Sequence, residues 1–238
     1  MKHTLLKTTA IAMALSVGVV QATEYKASTA EHPIKIVNLD ALENQVKENM
    51  DKGAFGYIRG GAEDENNLRS NTNAFNKKYI MPRALQGIEF SDLNLKTEFL
   101  GIKLDTPIIQ APMAAQGLAH QQGEVATAKG MAKAGSIFSL STYGNKTIKE
   151  VAQAQPGYPF FFQLYMSKND AFNQYILSQA KQYGAKGIIL TVDSPVGGYR
   201  EDDIKNSFQF PIFIYNKCID FFLALNDHRQ CRCLYTSN

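Results

Sequence analysis

A chain of 238 residues, 45% of them hydrophobic and 20% charged, has ordinary globular composition and room for one large domain or two small ones. Its formal net charge is +3, and two of the lysines, Lys2 and Lys7, fall in the first 22 residues, which hold no acid, so the remainder carries +1. With no basic stripe interleaved with aromatics, that balance speaks against a nucleic-acid surface.

Taken in order, residues 1–22 read as a secretory signal. A short basic start leads into an apolar stretch from Thr9 to Val20, too short to span a bilayer comfortably, and Val20-Gln21-Ala22 supplies small residues for cleavage after Ala22. The alternative is an uncleaved anchor. No twin arginine is present. The expectation is an exported protein, periplasmic or secreted, with no stable membrane insertion after cleavage. All three cysteines, Cys218, Cys231 and Cys233, stand near the C-terminus, so the body has no disulfide framework. Cys231-x-Cys233 lacks a second ligand pair for zinc.

Residues 23–37 read as an extended lead. Asn38 is a plausible N-cap for a helix carrying Leu39, Leu42, Val46 and Met50 at helical spacing and ended by Gly53. Gly53 to Gly61 reads as turn-rich, and a polar helix with acids in its first turn is expected from about Glu63 to Phe75. Phe99 to Lys103, around Gly101, reads as a hairpin that plugs a barrel end.

After Asp105 the pattern becomes regular. Strands are expected at Pro107–Met113, Ser136–Ser141, Phe160–Met166 and Gly187–Asp193. Helices are expected at Gly123–Ala134, Thr147–Ala154 and Asn169–Tyr183, with Gly135 and Gly184 closing the first and third. Strands alternating with helices predict an α/β fold with a parallel sheet. The faces of Ile108, Ile109, Phe161, Ile188 and Leu190 that should fill the interior of a closed barrel would, with only four strands, meet water or the tail. Each strand starts apolar and ends polar or small, and in a parallel barrel such ends meet on one rim. Ser141, Gln163, Tyr165 and Thr191 would then ring a common pocket. After Thr191 and Asp193 the chain breaks into a loop at Pro195, Gly197 and Gly198 that delivers Tyr199 and Arg200. Beyond Pro211 neither a helix face nor a strand pattern continues.

Several of these stretches resemble the FMN-dependent α-hydroxy-acid oxidase family, which is a (β/α)8 TIM barrel. They are Gly53-Ala-Phe-Gly-Tyr57 through Glu65, Ala111-Pro-Met-Ala-Ala-Gln-Gly-Leu-Ala-His120, Ser139-Leu-Ser-Thr-Tyr143, Gln163-Leu-Tyr-Met-Ser-Lys168 and Gly197-Gly-Tyr-Arg through Asn206. The likeness runs from about Pro33 to Pro211. The Gly-Leu-Ala-His and Gly-Gly-Tyr-Arg stretches look like the lactate-oxidising branch rather than the glycolate-oxidising one.

The resemblance implies a set of site residues. Pro112, Met113, Ala114, Ser141, Gln163 and Thr191 match flavin-contacting positions. Tyr57, Tyr165 and Arg200 match substrate positions, which suits a 2-hydroxy acid because a guanidinium grips a planar carboxylate with charge-assisted hydrogen bonds. Asp193 matches the carboxylate that supports the family's catalytic histidine. That histidine belongs to a Ser-Asn-His-Gly stretch that this chain does not contain, and the family's second arginine, its lysine beside flavin N1 and its phosphate site are not found either. The histidines here are His3, His32, His120 and His228, and His120 reads as a structural residue at a helix start.

The expectation is therefore a signal peptide (1–22), the N-terminal half of the family's barrel with about four βα units (23–211), and a non-family tail (212–238) that suggests truncation or a frameshift. Such a half-barrel would leave sheet edges open to self-association or aggregation. An FMN enzyme acting on a small 2-hydroxy acid, a non-enzymatic truncated product and a self-associating half-barrel that works as a binding module all remain open at this point.

Overall fold

The computed structural model describes residues 36–193 and 197–209. The expected signal segment, nearly all of the extended lead, Pro195, the 212–238 segment with its three cysteines, and His3, His32 and His228 lie outside the described residues.

The first helix, α1 (Leu39–Asn49), begins where expected because Asn38 Oδ1 accepts from the Ala41 amide at 2.7 Å. It stops at Asn49, ahead of Gly53. The Gly53–Gly61 stretch is not a turn but mostly helix, α2 (Lys52–Arg59), started by Asp51, which accepts from the Ala54 amide at 2.9 Å. Its glycines serve close approach. A Cβ on Gly56 would sit 2.8 Å from Asn206 Nδ2. The polar helix α3 (Asn66–Phe75) starts later than expected, with no acid in its first turn. Glu63 and Glu65 instead take positive φ in the turn before it, where Glu65 accepts from the Gly61 amide at 3.0 Å and pairs with Arg59 at 3.2 Å.

The expected hairpin is present as β1 (Thr97–Phe99) and β2 (Ile102–Leu104), antiparallel, turning at Gly101 with φ +77°. Pro107–Met113 is not a strand. It touches the sheet through a parallel bridge between Met113 and Leu140 and a Gln110 amide bond to the Ile137 carbonyl at 3.2 Å. Pro107 and Pro112 have no N–H to donate, which leaves gaps in any ladder along the segment. The described parallel sheet thus has three strands in the order β3 (Phe138–Leu140), β4 (Phe160–Leu164), β5 (Gly187–Leu190), one fewer than predicted.

Helices α4 (Glu124–Lys133), α5 (Ile148–Ala154) and α6 (Asp170–Gln182) cross between these segments. Thr147 and Glu150 form a reciprocal capping box on α5, and Asn169 Oδ1 accepts from the Phe172 amide at the start of α6. A short helix that the sequence reading missed, α7 (Glu201–Lys205), follows Arg200 with three acids in its first turn.

Strand register sorts the side chains. Ser139, Phe161 and Gly187 align across the sheet, as do Leu140, Phe162 and Ile188. Phe138, Leu140, Phe160, Phe162 and Leu164 bury their face under α4, α5 and α6 with Val151, Phe172 and Ile176. On the opposite, inner face Phe161 packs with Ile137, Leu104, Ile109 and Ile189, and Phe99 meets Phe161 edge-on at 6.1 Å. Because side chains alternate, Ile188 and Leu190 belong to the helix side and not to the interior assigned to them. Nothing described covers them there, and they are 47% and 52% exposed. Ile108 likewise stays 69% exposed. Among the described residues no helix is long and apolar enough to cross a membrane.

Candidate functional site

The polar ends of the strands converge as expected. At their centre is Gln163, 2% exposed at the end of β4. Its Oε1 accepts from the Ser141 hydroxyl and the Thr142 amide, both at 3.1 Å, and its Nε2 donates to Thr191 Oγ1 at 2.9 Å. The Thr142 hydroxyl donates to the Gln163 carbonyl at 2.6 Å and accepts from the Tyr165 amide at 3.1 Å. One buried amide thus ties three successive strand ends into a chain of donors and acceptors. Fully satisfied chains of this kind hold their members in fixed orientation.

Pro112, Met113 and Ala114 lie on the neighbouring loop, with Met113 bridged to Leu140 and 49% exposed. Two residues on, Ala115 is buried with φ +53°, a left-handed conformation costly for a residue with a Cβ, and its amide donates to the Tyr143 carbonyl at 3.0 Å. The Tyr143 ring stacks on Tyr165 at 5.0 Å. Sequence reasoning quoted Tyr143 within a motif but assigned it no role. Its place directly after the polar end of β3 was the available signal.

Tyr57 comes from α2. Its ring stacks on Phe208 at 5.2 Å and lies under the Arg200 guanidinium, 5.0 Å from the ring centroid. Burial pushes the Tyr57 hydroxyl above its ordinary pKa; Arg200 opposes this, while Asp203, Tyr165 and Tyr143 add to it. The four side chains Tyr57, Tyr143, Tyr165 and Arg200 consequently share one neighbourhood.

Arg200 is occupied by the protein itself. Its Nε pairs with Asp203 at 2.6 Å, one terminal nitrogen donates to the Gly60 carbonyl at 3.0 Å, and the other donates to the Tyr57 carbonyl. These bonds dock the Gly197–Phe208 segment on α2, and only the remaining N–H bonds are left for a ligand. Asp193 is exposed just past β5 and makes no hydrogen bond or ion pair with a described side chain. His120 acts structurally, its Nδ1 accepting from the Gln122 amide at 3.2 Å.

A planar ring with a mixed polar edge fits the residues present. The Gln163 amide offers both polarities beside the Ser141 and Thr191 hydroxyls, and Pro112 and Met113 supply an apolar flank. Below this rim, on the inner face, an open groove of about 290 Å³ is lined by residues that include Phe99, Ile109, Pro112, Ser139, Phe161 and Ile189.

Comparison with known proteins bears on this arrangement. The family model described as FMN-dependent dehydrogenase matches residues 46–230. An L-lactate oxidase of Lentilactobacillus hilgardii is 53% identical over 192 residues, which is 81% of this chain and 52% of that protein. A glycolate oxidase of Spinacia oleracea is 39% identical over 181 residues, 76% of this chain and 48% of that protein. A crystal structure of lactate oxidase from Pediococcus acidilactici superposes with a TM-score of 0.80 at 49% identity, covering 84% of this chain and 55% of that one. The chain spans about half the length of the curated relatives it matches.

Proposed function

This chain belongs to the FMN-dependent dehydrogenase family, and from that membership we propose that it carries the flavin-facing and part of the substrate-facing rim for oxidation of a lactate-like L-2-hydroxy acid to the 2-oxo acid. Its fold is part of that family's TIM barrel, and FMN is the cofactor of the family. The observation that carries the reading is the buried Ser141–Gln163–Thr191 chain beside the Tyr143–Tyr165 stack. Pro112, Met113 and Ala114 would complete the flavin-holding set. When bound, FMN supplies the acceptor for the hydride equivalent leaving the substrate.

This chain's residues would do the rest by positioning. The Tyr57 hydroxyl, protonated near neutral pH, donates to a substrate oxygen. Tyr165 borders the same space. Arg200 offers a carboxylate the N–H bonds it has not spent on Tyr57, Gly60 and Asp203. The role proposed for Asp193, supporting a histidine base, has no counterpart among these 238 residues. General-base catalysis is worth about 10²–10⁴-fold, so the chain by itself is not expected to turn substrate over. Export remains part of the proposal, on the strength of residues 1–22.

Two experiments separate these statements. Residues 36–209 joined to the remaining half of the Lentilactobacillus hilgardii enzyme should give a yellow protein that reduces its flavin with L-lactate. A colourless product would reject the rim assignment. The 238-residue chain mixed with FMN and L-lactate without oxygen should bleach no faster than free FMN, and faster bleaching would reject the inactive reading.

A second reading, self-association, is favoured by the uncovered Ile188 and Leu190 and by the open inner groove. A concentration-dependent mass in light scattering would support it, and a monodisperse monomer would oppose it.

A further inference from the structure

Glu124 is the first residue of α4 and is completely buried. No cation pairs with it among the described residues. Its carboxylate instead collects backbone amides from two different loops. Oε1 accepts from Gln116 and Asn145 and Oε2 from Lys146, all at 3.1 Å. Gln116 belongs to the loop between Met113 and α4, while Asn145 and Lys146 belong to the loop between β3 and α5. Asn145 adds a link of its own, its Oδ1 accepting from the Gly117 amide at 2.8 Å.

The space around the carboxylate is closed. A Cβ on Gly144 would lie 3.1 Å from Glu124 Oε1, and one on Gly117 would collide with the Asn145 amide. The loops meet again where Ala115, in its left-handed conformation, donates to the Tyr143 carbonyl. The strained residue is thus gripped from both sides, by Tyr143 through its own amide and by Glu124 through the amide of Gln116. Burying a carboxyl group without a cation is expensive unless its acceptor positions are filled, and here amides fill them.

We propose that Glu124 is a positioning residue that fastens these two loops in fixed register. Through that register it sets the Pro112–Ala114 backbone against Ser141 and brings Tyr143 onto Tyr165. The link to cofactor rests on the flavin reading of the rim; the fastening itself does not.

The test uses the full chain with Glu124→Gln, which preserves shape but turns one acceptor into a donor facing an amide. Val151→Ala, in the fully buried core beneath the sheet, serves as a general destabilisation control. Amide exchange should rise at least tenfold in peptides covering 113–120 and 141–147 of Glu124→Gln, with 160–164 unchanged. In Val151→Ala the two loops should keep wild-type exchange. The chain has no tryptophan, so near-ultraviolet circular dichroism reports its tyrosines, and Glu124→Gln should lose the same signal that Tyr143→Phe loses. If Glu124→Gln does not fold, Asn145→Ala, which spares the carboxylate, should loosen the same two loops by a smaller factor.

Unchanged exchange in either loop, or a rise shared equally by 160–164, would overturn the proposal. An FMN titration followed by fluorescence quenching completes the set. Affinity at least tenfold weaker in Glu124→Gln but not in Val151→Ala carries the fastening through to the flavin surface. Equal FMN affinity in wild type and Glu124→Gln overturns the link to cofactor. Loosened loops in a chain that binds no FMN at all would uphold the fastening and reject the flavin reading.

Discussion

Strands β4 and β5 are neighbours in one sheet and both largely apolar, yet their helix-side faces differ completely. Phe162 is fully buried under α5 and α6, while its partner in register, Ile188, is 47% exposed. No feature of the two short runs accounts for this. What separates them is the helix that follows. The chain after β4 folds back as α6 over the sheet, whereas the described chain after β5 carries Arg200 away to dock on α2. Burial in a parallel sheet is conferred by the crossover and not by the strand.

The comparison can be broken at its covered side first. Phe162→Ala should cost about 3–5 kcal/mol, and Ile188→Ala less than about 1 kcal/mol, measured as the shift in urea midpoint. Similar losses at the two sites would mean that something covers β5 in solution.

A smaller effect is expected where the chain leaves the sheet. Arg200→Lys replaces a fork that spans Asp203, Gly60 and Tyr57 with a single ammonium, and should loosen the 198–208 segment by about 1.5–3 kcal/mol. Amide exchange in that segment should rise while β4 stays protected. If exchange is unchanged, the docking does not depend on the guanidinium.

Leu190→Lys should leave unfolding nearly untouched and lower the self-associated fraction in light scattering. Association that survives this change would place the contact elsewhere, in the inner groove.

The smallest effect is electrostatic. The folded protein raises the Tyr57 pKa above its unfolded value near 10, so the neutral form is the one favoured by folding. The associated stability is present below that unfolded value and is lost as pH rises through the folded one. Between about pH 9 and pH 11 the wild type should lose more stability than Tyr57→Phe, as read from urea midpoints. Parallel profiles would remove Tyr57 from the buried cluster.

Local signals were legible in the sequence and distant ones were not. Asn38, Thr147 and Asn169 cap their helices within a few residues of themselves, so reading them needed no tertiary knowledge. The rim residues Ser141, Gln163 and Thr191 were legible because each is the polar end of an apolar run. The glycines of α2 misled because their purpose, close approach to Asn206 and Phe208, is set by chain far away. Glu124 carried no reading in the sequence, because nothing local says that its partners are amides from the loop before its helix and from the loop beyond the next strand. Pro107–Met113 was over-read, since its apolar run suggested a strand while its two prolines withhold amides that a continuous ladder would use.

Those prolines also bear on stoichiometry. Two amides are missing from that segment and Gln110 spends its own on Ile137, which hinders strand addition on the β3 side of the sheet and leaves β5 as the described flank that another strand could join more readily. A sheet that can be extended from one flank alone has no second flank with which to pass growth on. Copies that met there would do so open flank to open flank, about a two-fold axis, and such a pair would have no free end. The chain would then close as a dimer instead of lengthening into a fibre.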